Sequence, residues 1–195
     1  MSEFRIVALA SGRGSNFAAI LGACLERKLS ARVVGLITNK SDAPALEIAK
    51  LSKVPTTIVD EKSFRKNGRW DRAAYEVELL KAIESYQPNL ICLTGYMRIL
   101  GKAIVAKYPE KIVNIHPSLL PSFRGLRAQQ QALDAGVKWT GCTVHFVSGE
   151  LDGGRILEQS VTRIEEGDTE ETLSKRLLPI EHETYVRALK RLTSP

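Results

Sequence analysis

Two side chains that can act together on a carbonyl group, Asn114 and His116, stand two residues apart in the run 113–121. The β-rich residues 111–115 predict a strand, which the two prolines of this run then bring to an end. Residues two apart on a strand project from the same face, so the amide and the imidazole should lie side by side. Such a pair can polarise a carbonyl and stabilise charge on its oxygen. The alternative is a strand that caps its own turn, with Asn114 bonded to backbone and His116 packed, and these two residues alone do not decide.

Asp152, a carboxylate that could interact with the imidazole of His116, follows later in the chain, in a Gly-rich turn. Placed beside His116, it would favour the charged imidazolium and fix the orientation of the ring. The commoner meaning of an Asp-Gly pair is a solvated turn, and this alternative stays open. The other histidines predict packing roles: His145 within a strand, in the core or at an edge, and His182 packed or exposed on the last helix.

The turn 12–16 (GRGSN) is a candidate anion site, because it joins a predicted strand to a predicted helix. Backbone N–H groups at a helix amino terminus favour a negative charge. The turn is a poor dinucleotide fingerprint, since Phe17 replaces the third glycine and no acidic residue ends the second strand. It also lacks the GK[ST] of a Walker loop. A single phosphate is therefore the predicted ligand, and a plain strand-to-helix turn is the alternative.

The elements that must position these residues alternate between strands and helices. Strands are predicted over 4–10, 31–37, 56–60, 90–95, 111–115, 142–147 and 156–162, and helices over 16–29, 42–51, 70–86, 101–106, 127–135 and 168–192. Asp42 is expected to cap the second helix. The alternation predicts an α/β fold: a Rossmann-like, three-layer arrangement of a mostly parallel sheet with helices on both faces. The last two strands, joined by the turn 148–154, should form an antiparallel pair at the edge.

The composition predicts one soluble globular domain over 1–195. Hydrophobic residues make up 44% of the chain, and no apolar run reaches the roughly 20 residues of a membrane span. The first residues do not have the pattern of a signal peptide. The three cysteines, without any CxxC, predict free thiols in the cytoplasm. The net charge of +6 is dispersed, which favours a small anion over nucleic acid.

Four stretches together resemble the folate-dependent formyltransferases, and among them the members that formylate glycinamide ribonucleotide. They are 11–16 (SGRGSN), 95–100 (GYMRIL), 114–121 (NIHPSLLP) and 150–154 (ELDGG), in this order. The resemblance runs from Ile6 to about Glu181. It implies an N-terminal mononucleotide-binding half over about 1–100 and a C-terminal folate-binding and catalytic half over about 101–195. It implies transfer of the formyl group of 10-formyltetrahydrofolate to the amine of 5-phosphoribosyl-glycinamide in purine biosynthesis, without a metal. The partners it implies are these two small molecules, with no nucleic acid, no membrane, and a monomer or weak homodimer.

The resemblance also implies a role for individual residues. The implied catalytic trio is Asn114, His116 and Asp152, in which Asn114 and protonated His116 stabilise the oxyanion and Asp152 holds His116 protonated. Substrate binding is assigned to Gly14, Ser15 and Asn16, which take the phosphate, and to Glu181 near the glycinamide and ribose. Folate binding is assigned to Met97, Arg98, Ile99 and Leu100, to the backbone of Ser148, Glu150 and Asp152, to Asn114, and to Arg72 for the carboxylates of the glutamate tail.

Three positions depart from the family or need care. Arg127 stands where the family often has histidine, Leu178 where some members have Lys or Gln, and Arg124 is shared with enzymes that formylate initiator methionyl-tRNA. The rival functions are a formyltetrahydrofolate hydrolase, another folate-dependent formyltransferase, and a nucleotide-binding module without chemistry. The first two rivals share the trio; by the family's pattern the hydrolases carry a regulatory domain and the tRNA enzymes a basic RNA-binding domain, and neither is expected here.

Overall fold

In a computed structural model that describes residues 3–66 and 69–194, the chain forms a seven-stranded sheet between helices, with a separate two-stranded sheet. The strands are β1 (Arg5–Ala10), β2 (Arg32–Thr38), β3 (Thr56–Ile58), β4 (Arg65–Lys66), β5 (Arg69–Trp70), β6 (Leu90–Leu93), β7 (Ile112–His116), β8 (Trp139–Phe146) and β9 (Ile156–Arg163). The α-helices are α1 (Ser15–Leu25), α2 (Ala45–Leu51), α3 (Arg72–Ser85), α4 (Lys102–Lys107), α5 (Ala128–Asp134) and α6 (Glu170–Thr193).

The order of strands in the large sheet is β3-β2-β1-β6-β7-β8-β9. Pairing is parallel from β3 to β7, while β8 runs antiparallel to β7 and β9 antiparallel to β8. This confirms the predicted mostly parallel sheet with an antiparallel pair at its edge. The chain goes from β1 outward to β3 and then crosses to β6 on the other side of β1. In open α/β sheets, ligands bind outside the carboxyl ends of the strands at such a switch point.

Both faces of the central strands are covered by helices, which explains their unbroken apolar sequence. In β1, Ile6 and Ala8 enter one core with residues of α1 and α6, whereas Val7 and Leu9 enter a second core with residues of α3 and α4. Alternate residues of one strand thus anchor helices on opposite faces. The carboxyl ends of the strands are thereby fixed from both sides, and the candidate site lies at these ends.

A buried tyrosine ties α6 to the middle of the sheet. The Tyr185 hydroxyl is shared between the carbonyl oxygens of Leu93, at 3.1 Å, and Val113, at 2.9 Å. Burial raises the pKa of Tyr185 well above its ordinary value, so the hydroxyl remains a donor. Because Val113 precedes Asn114 on β7 and Tyr185 follows Glu181 on α6, this contact sets the position of Glu181 relative to Asn114.

The start of α2 differs from the prediction. Asp42 is exposed and does not cap this helix; the N-cap residue is Pro44, which makes no side-chain cap. The helix therefore starts at Ala45, three residues after Asp42, and Pro44 lies just before it instead of inside its first turn. The first helix also ends at Leu25 instead of near residue 29, since the chain turns there toward β2.

A short 3₁₀ helix over Glu61–Phe64 was not predicted, nor was the two-stranded sheet β4-β5. Asp60, predicted as the last residue of a strand, instead caps this turn by accepting a hydrogen bond from the backbone N–H of Lys62 at 2.9 Å. These elements are too short to produce a periodic pattern. The strand β8 was predicted from Cys142 but begins at Trp139, which pairs with Arg163 of β9.

The described helices include none that is both long enough and apolar enough to cross a membrane. All three cysteines, Cys24, Cys92 and Cys142, are free. Burial raises the pKa of Cys24 and of Cys142 to about 11, so both stay protonated near neutral pH.

Candidate active site

The site forms where β7 ends and its antiparallel neighbour β8 passes. Asn114 of β7 lies directly opposite His145 of β8 in the register of the two strands. The Asn114 Nδ2 atom is 3.3 Å from His145 Nε2, and His145 Nδ1 is 2.9 Å from the carbonyl oxygen of Phe146. A neutral ring satisfies both contacts if Nδ1–H donates to the carbonyl and Nε2 accepts from the amide.

Burial lowers the pKa of His145 below its ordinary value. This effect outweighs the hydrogen bond to the Phe146 carbonyl and the charge of Asp152, which act in the opposite direction. His145 is therefore neutral near neutral pH and acts as an acceptor for Asn114. An amide nitrogen carries two hydrogens, so one Nδ2 hydrogen of half-buried Asn114 remains to meet an oxygen of a ligand. Sequence reasoning assigned His145 to packing, and only the β7–β8 register shows its contact with Asn114.

His116, the last residue of β7, is buried with both ring nitrogens facing acceptors. Its Nε2 is 2.8 Å from the carbonyl oxygen of Phe123, and its Nδ1 is 3.4 Å from Asp152 Oδ2. The Nε2 atom lies at hydrogen-bond distance and donates to the Phe123 carbonyl, while Nδ1 faces the carboxylate at the longer distance of an ion pair. The carboxylate is thus placed to fix the orientation of the ring.

Asp152 lies in the turn after β8 and is held between the two histidines. Its Oδ2 accepts the backbone N–H of Gly125 at 2.8 Å, and its Oδ1 is 3.8 Å from His145 Nε2. Only 9% of its side chain is exposed, which differs from an aspartate in a solvated turn. The structure therefore brings Asn114, His116 and Asp152 together, with His145 as a fourth polar side chain. Within residues 3–66 and 69–194, no group of three or more His, Cys, Asp or Glu side chains is placed to hold a metal ion.

The predicted phosphate turn leads into α1 with free backbone donors. Gly14 is the N-cap residue in the left-handed conformation, with φ 73°, and no side chain of the described residues caps the helix there. The first N–H groups of α1, beginning with Ser15 and Asn16, thus have no partner inside the helix. These donors and the helix dipole are features that favour binding of an anion.

Asn16 and Glu181 form a buried polar pair beside this turn. Asn16 Nδ2 donates to Glu181 Oε2 at 3.0 Å, while Asn16 Oδ1 is buried without a hydrogen bond from the described residues. Burial raises the pKa of Glu181, although the hydrogen bond from Asn16 and the charge of Arg13 act the other way. An unpaired buried acceptor next to a carboxylate is a natural place for a donor group of a ligand.

A cleft of about 720 Å³ opens next to the same turn. It is lined by the basic side chains Arg13 and Lys175 and by Leu178, among others. Arg13 was not singled out from the sequence as a ligand residue, although it stands inside the GRGSN turn. Leu178, the position where some family members have a polar residue, contributes only apolar surface to this cleft.

The predicted folate residues of the 97–100 segment have different environments. Met97 and Ile99 are 65% and 67% exposed, which leaves their side chains available to an apolar ligand. The Leu100 side chain is buried in the second core. The Arg98 guanidinium is bonded to Glu61 and stacks on Trp70.

The remaining predicted folate residues lie at the edges of the site. Arg72, the first residue of α3, donates to Glu76 at 2.6 Å and to the carbonyl of Ile99 at 3.3 Å. Its position next to the 97–100 segment is compatible with binding the carboxylates of a folate tail. Ser148 closes the turn before Asp152 by accepting the N–H of Glu150 at 3.2 Å, while the Glu150 side chain is mostly exposed.

Comparisons with known proteins agree with this geometry. The model of the formyl transferase family matches residues 4–189. Phosphoribosylglycinamide formyltransferase of Escherichia coli is 40% identical over 180 residues, covering 92% of this chain and 82% of that protein. The crystal structure of glycinamide ribonucleotide transformylase 1 from Symbiobacterium toebii has a TM-score of 0.92 and 40% identity, and the match covers 98% of this chain and 88% of that one.

Longer relatives contain a similar sequence as one part. The trifunctional purine biosynthetic protein adenosine-3 of Bos taurus is 40% identical over 190 residues, which cover 97% of this chain and 18% of that protein. The chain thus spans about a fifth of the length of such relatives.

The geometry of the phosphate turn predicts that substitutions of its two glycines differ in their effect on stability. A Cβ on Gly14 would lie 2.6 Å from the Cβ of Ala45, at a positive φ, whereas a Cβ on Gly12 would meet nothing within 4 Å. We expect Gly14→Ala to lower the free energy of unfolding by about 2 kcal/mol or more, through backbone strain and overpacking. Gly12→Ala should be nearly neutral. Urea unfolding of both variants measures this difference, and equal stabilities would contradict the close packing of the turn on α2.

Proposed function

The chain belongs to the formyl transferase family, and we propose that it transfers the formyl group of 10-formyltetrahydrofolate to the amine of 5-phosphoribosyl-glycinamide. The observation that carries this proposal is the pairing of two sites at the carboxyl edge of one sheet. One is the cluster of Asn114, His116 and Asp152, suited to an acyl-type reaction; the other is the uncapped start of α1, suited to a phosphate.

The phosphate of the substrate binds at the start of α1. Backbone N–H groups of Ser15 and Asn16 donate to it, and the exposed guanidinium of Arg13 adds a positive charge. The glycinamide and ribose groups then reach the buried pair of Asn16 and Glu181, where the free Asn16 Oδ1 accepts a hydrogen bond. In this pose the phosphate fixes one end of the substrate and the amine points toward Asn114.

The reaction begins when the neutral amine attacks the formyl carbon, forming a C–N bond and placing negative charge on the formyl oxygen. The free Nδ2 hydrogen of Asn114 stabilises that oxygen, and His145 holds the amide in the orientation that this requires. The amine loses a proton, the nitrogen N10 of the folate gains one, and the bond from carbon to N10 breaks. Tetrahydrofolate and the N-formyl product result.

His116 contributes positive charge and a transferable proton next to the reacting carbon. The Asp152 carboxylate and the Phe123 carbonyl, which face the two ring nitrogens, support this role. For Nε2–H to donate to the substrate oxygen, it must leave the Phe123 carbonyl. We therefore include in the proposal that the loop containing Phe123 shifts when the folate binds.

The folate binds on the apolar rim of the site. Met97, Ile99, Leu126 and Leu151 are exposed hydrophobic side chains, all more than half exposed, on segments adjoining Asn114 and Asp152. Covering them with the pterin and benzoyl rings removes apolar surface from water. This rim and the anion site lie on different segments, as two substrates that react with each other require.

The proposal is tested by offering three formyl acceptors in parallel: glycinamide ribonucleotide, initiator methionyl-tRNA and water. We expect 10-formyltetrahydrofolate to be consumed at a substantial rate only with glycinamide ribonucleotide, since the anion site at α1 holds a phosphate next to the reactive cluster. Consumption that is equally fast without any acceptor would identify a hydrolase instead. Transfer to the tRNA alone would also refute the proposal.

Removal of the proposed oxyanion donor should lower kcat strongly and leave the fold intact. In Asn114→Ala, kcat should fall by roughly 10²–10³, the usual effect of losing one such donor. Asn114 is half-buried and does not belong to either apolar core, so the urea midpoint should hardly change. Turnover close to that of the wild type would show that Asn114 does not stabilise the oxyanion.

Replacing Asp152 by Asn tests the electrostatic role of the carboxylate. The amide oxygen must still accept from Gly125 and so keeps its place facing His116, while the new NH₂ faces His145. The substitution therefore removes the negative charge beside His116 and preserves the contact at that oxygen. Activity at pH 7–8 should fall roughly a hundredfold, and the alkaline side of the rate profile should move to lower pH. Asp134→Asn, which removes the same charge from an exposed end of α5, is the control. An inactive Asp152→Asn protein with an unshifted pH profile would reduce Asp152 to a structural role.

A further inference from the structure

The segment 95–100, which the proposed function assigns to folate, is anchored by a chain of hydrogen bonds ending at Glu61. The backbone N–H of Met97 donates to Ser11 Oγ at 2.8 Å, and the Ser11 hydroxyl donates to Asn39 Oδ1 at 2.6 Å. The Asn39 amide in turn donates to Glu61 Oε2 at 2.7 Å. Each donor points in the same direction, so the carboxylate polarises the whole chain of bonds.

Arg98 closes this chain into a ring. The residue adjoins Met97, and both its Nε and one of its terminal nitrogens lie 2.6 Å from the same oxygen, Glu61 Oε2. The guanidinium also lies over the ring of Trp70, 4.9 Å from its centroid. Segment 95–100 is thus linked to Glu61 Oε2 in two ways. The Arg98 side chain binds it directly, and the Met97 backbone N–H is connected to it through Ser11 and Asn39. Hydrogen bonds to ionised groups are the stronger kind.

The middle of the ring is closed to solvent. Ser11 and Asn39 are 3% and 1% exposed, so water cannot readily replace their bonds if the carboxylate is lost. Burial alone would raise the pKa of Glu61, but the hydrogen bonds from Arg98 and Asn39 and the charges of Arg98 and Lys40 bring it below its ordinary value. The carboxylate is therefore ionised at neutral pH, and its Oε2 accepts two hydrogen bonds and makes a further ion-pair contact with Arg98.

The ring connects the carboxyl ends of three strands. Ser11 follows β1, Asn39 follows β2, and Met97 lies in the loop after β6, whereas Glu61 starts the 3₁₀ helix after β3. β1 and β6 flank the switch point of the sheet, where ligands bind in this architecture. A residue outside the site thereby controls the loop that borders it.

We propose that Glu61 is a positioning residue, which acts through Arg98 and the Asn39–Ser11 pair to hold segment 95–100 in the geometry that binds the folate. The proposal rests on the proposed function, which assigns this segment to the folate. In this proposal Arg98 does not contact the folate, because its guanidinium binds the Glu61 carboxylate instead. The folate then meets the exposed Met97 and Ile99 side chains and the backbone of the segment.

Glu61→Gln is the decisive variant. Gln keeps the length of the side chain and one oxygen for Asn39, but loses the charge that two nitrogens of Arg98 share. We expect the KM for 10-formyltetrahydrofolate and the dissociation constant of tetrahydrofolate, measured by calorimetry, to rise about tenfold. The KM for glycinamide ribonucleotide and kcat should stay unchanged, and the Met97 amide should exchange with solvent faster.

Glu84→Gln is the matched control. Glu84 pairs with Lys107 near the carboxyl end of α3, so this change also removes one carboxylate from an ion pair, but away from the segment. It should leave both Michaelis constants unchanged. Folate binding equal to that of the wild type in Glu61→Gln would overturn the proposal, as would an equal rise of both Michaelis constants.

A double-variant cycle with Arg98→Met separates positioning from direct contact. Met has a similar length and can still pack on Trp70. If Glu61 acts through Arg98, Glu61→Gln combined with Arg98→Met should weaken folate binding little more than Arg98→Met alone. Fully additive effects would mean that Arg98 binds the folate itself and would refute the proposal.

Failure of the proposed function is recognised separately, in the wild type. If the wild-type protein binds tetrahydrofolate but forms no formylated glycinamide ribonucleotide, the proposed function fails while the calorimetric comparison still tests Glu61. A wild-type protein that binds no tetrahydrofolate would overturn both.

Discussion

The chemistry of the site depends on the antiparallel pairing of β8 with β7 at the end of an otherwise parallel run of strands. This register puts His145 opposite Asn114 and lets the turn after β8 bring Asp152 back beside His116. A slip of one residue would place Val144 or Phe146 opposite Asn114 and turn the histidine to the other face. The β8–β9 pairing and the Tyr185 contact to β7 hold this register from both sides.

Two imidazoles next to one carboxylate receive different properties from their surroundings. His145 is neutral because it is buried and its Nδ1–H is already used by the Phe146 carbonyl, so it can only accept from Asn114. His116 instead has oxygens at both ring nitrogens, the Phe123 carbonyl at Nε2 and the Asp152 carboxylate at Nδ1. One histidine thus orients a neutral donor while the other faces a carboxylate, a difference made by environment instead of by residue type.

The sequence predicted most of what is periodic or local. The alternation of buried strands and amphipathic helices predicted the three layers, and the motifs brought Asn114, His116 and Asp152 to attention. His145 was missed because an inward-facing histidine in a strand looks like a core residue until its cross-strand partner is known. Glu61 was missed because its partners, Asn39 and Arg98, are distant in sequence, and the 3₁₀ helix that presents it has no period. Polar contacts between distant loops have no local signature, so they require the fold.

The loops over the site combine strained backbone with contacts to one another. Phe123 and Asp152, neither of them glycine, have φ angles of 56° and 49°, a conformation that costs roughly 1 kcal/mol or more per residue. The two loops are joined where Gly125 donates to Asp152, and Phe123 is held by its carbonyl contact to His116. A ligand oxygen that replaces the Phe123 carbonyl at His116 would remove one of the contacts that offset this strain. In the proposed reaction, binding of the formyl group and rearrangement of the loop are therefore coupled through the hydrogen bond between His116 and the Phe123 carbonyl.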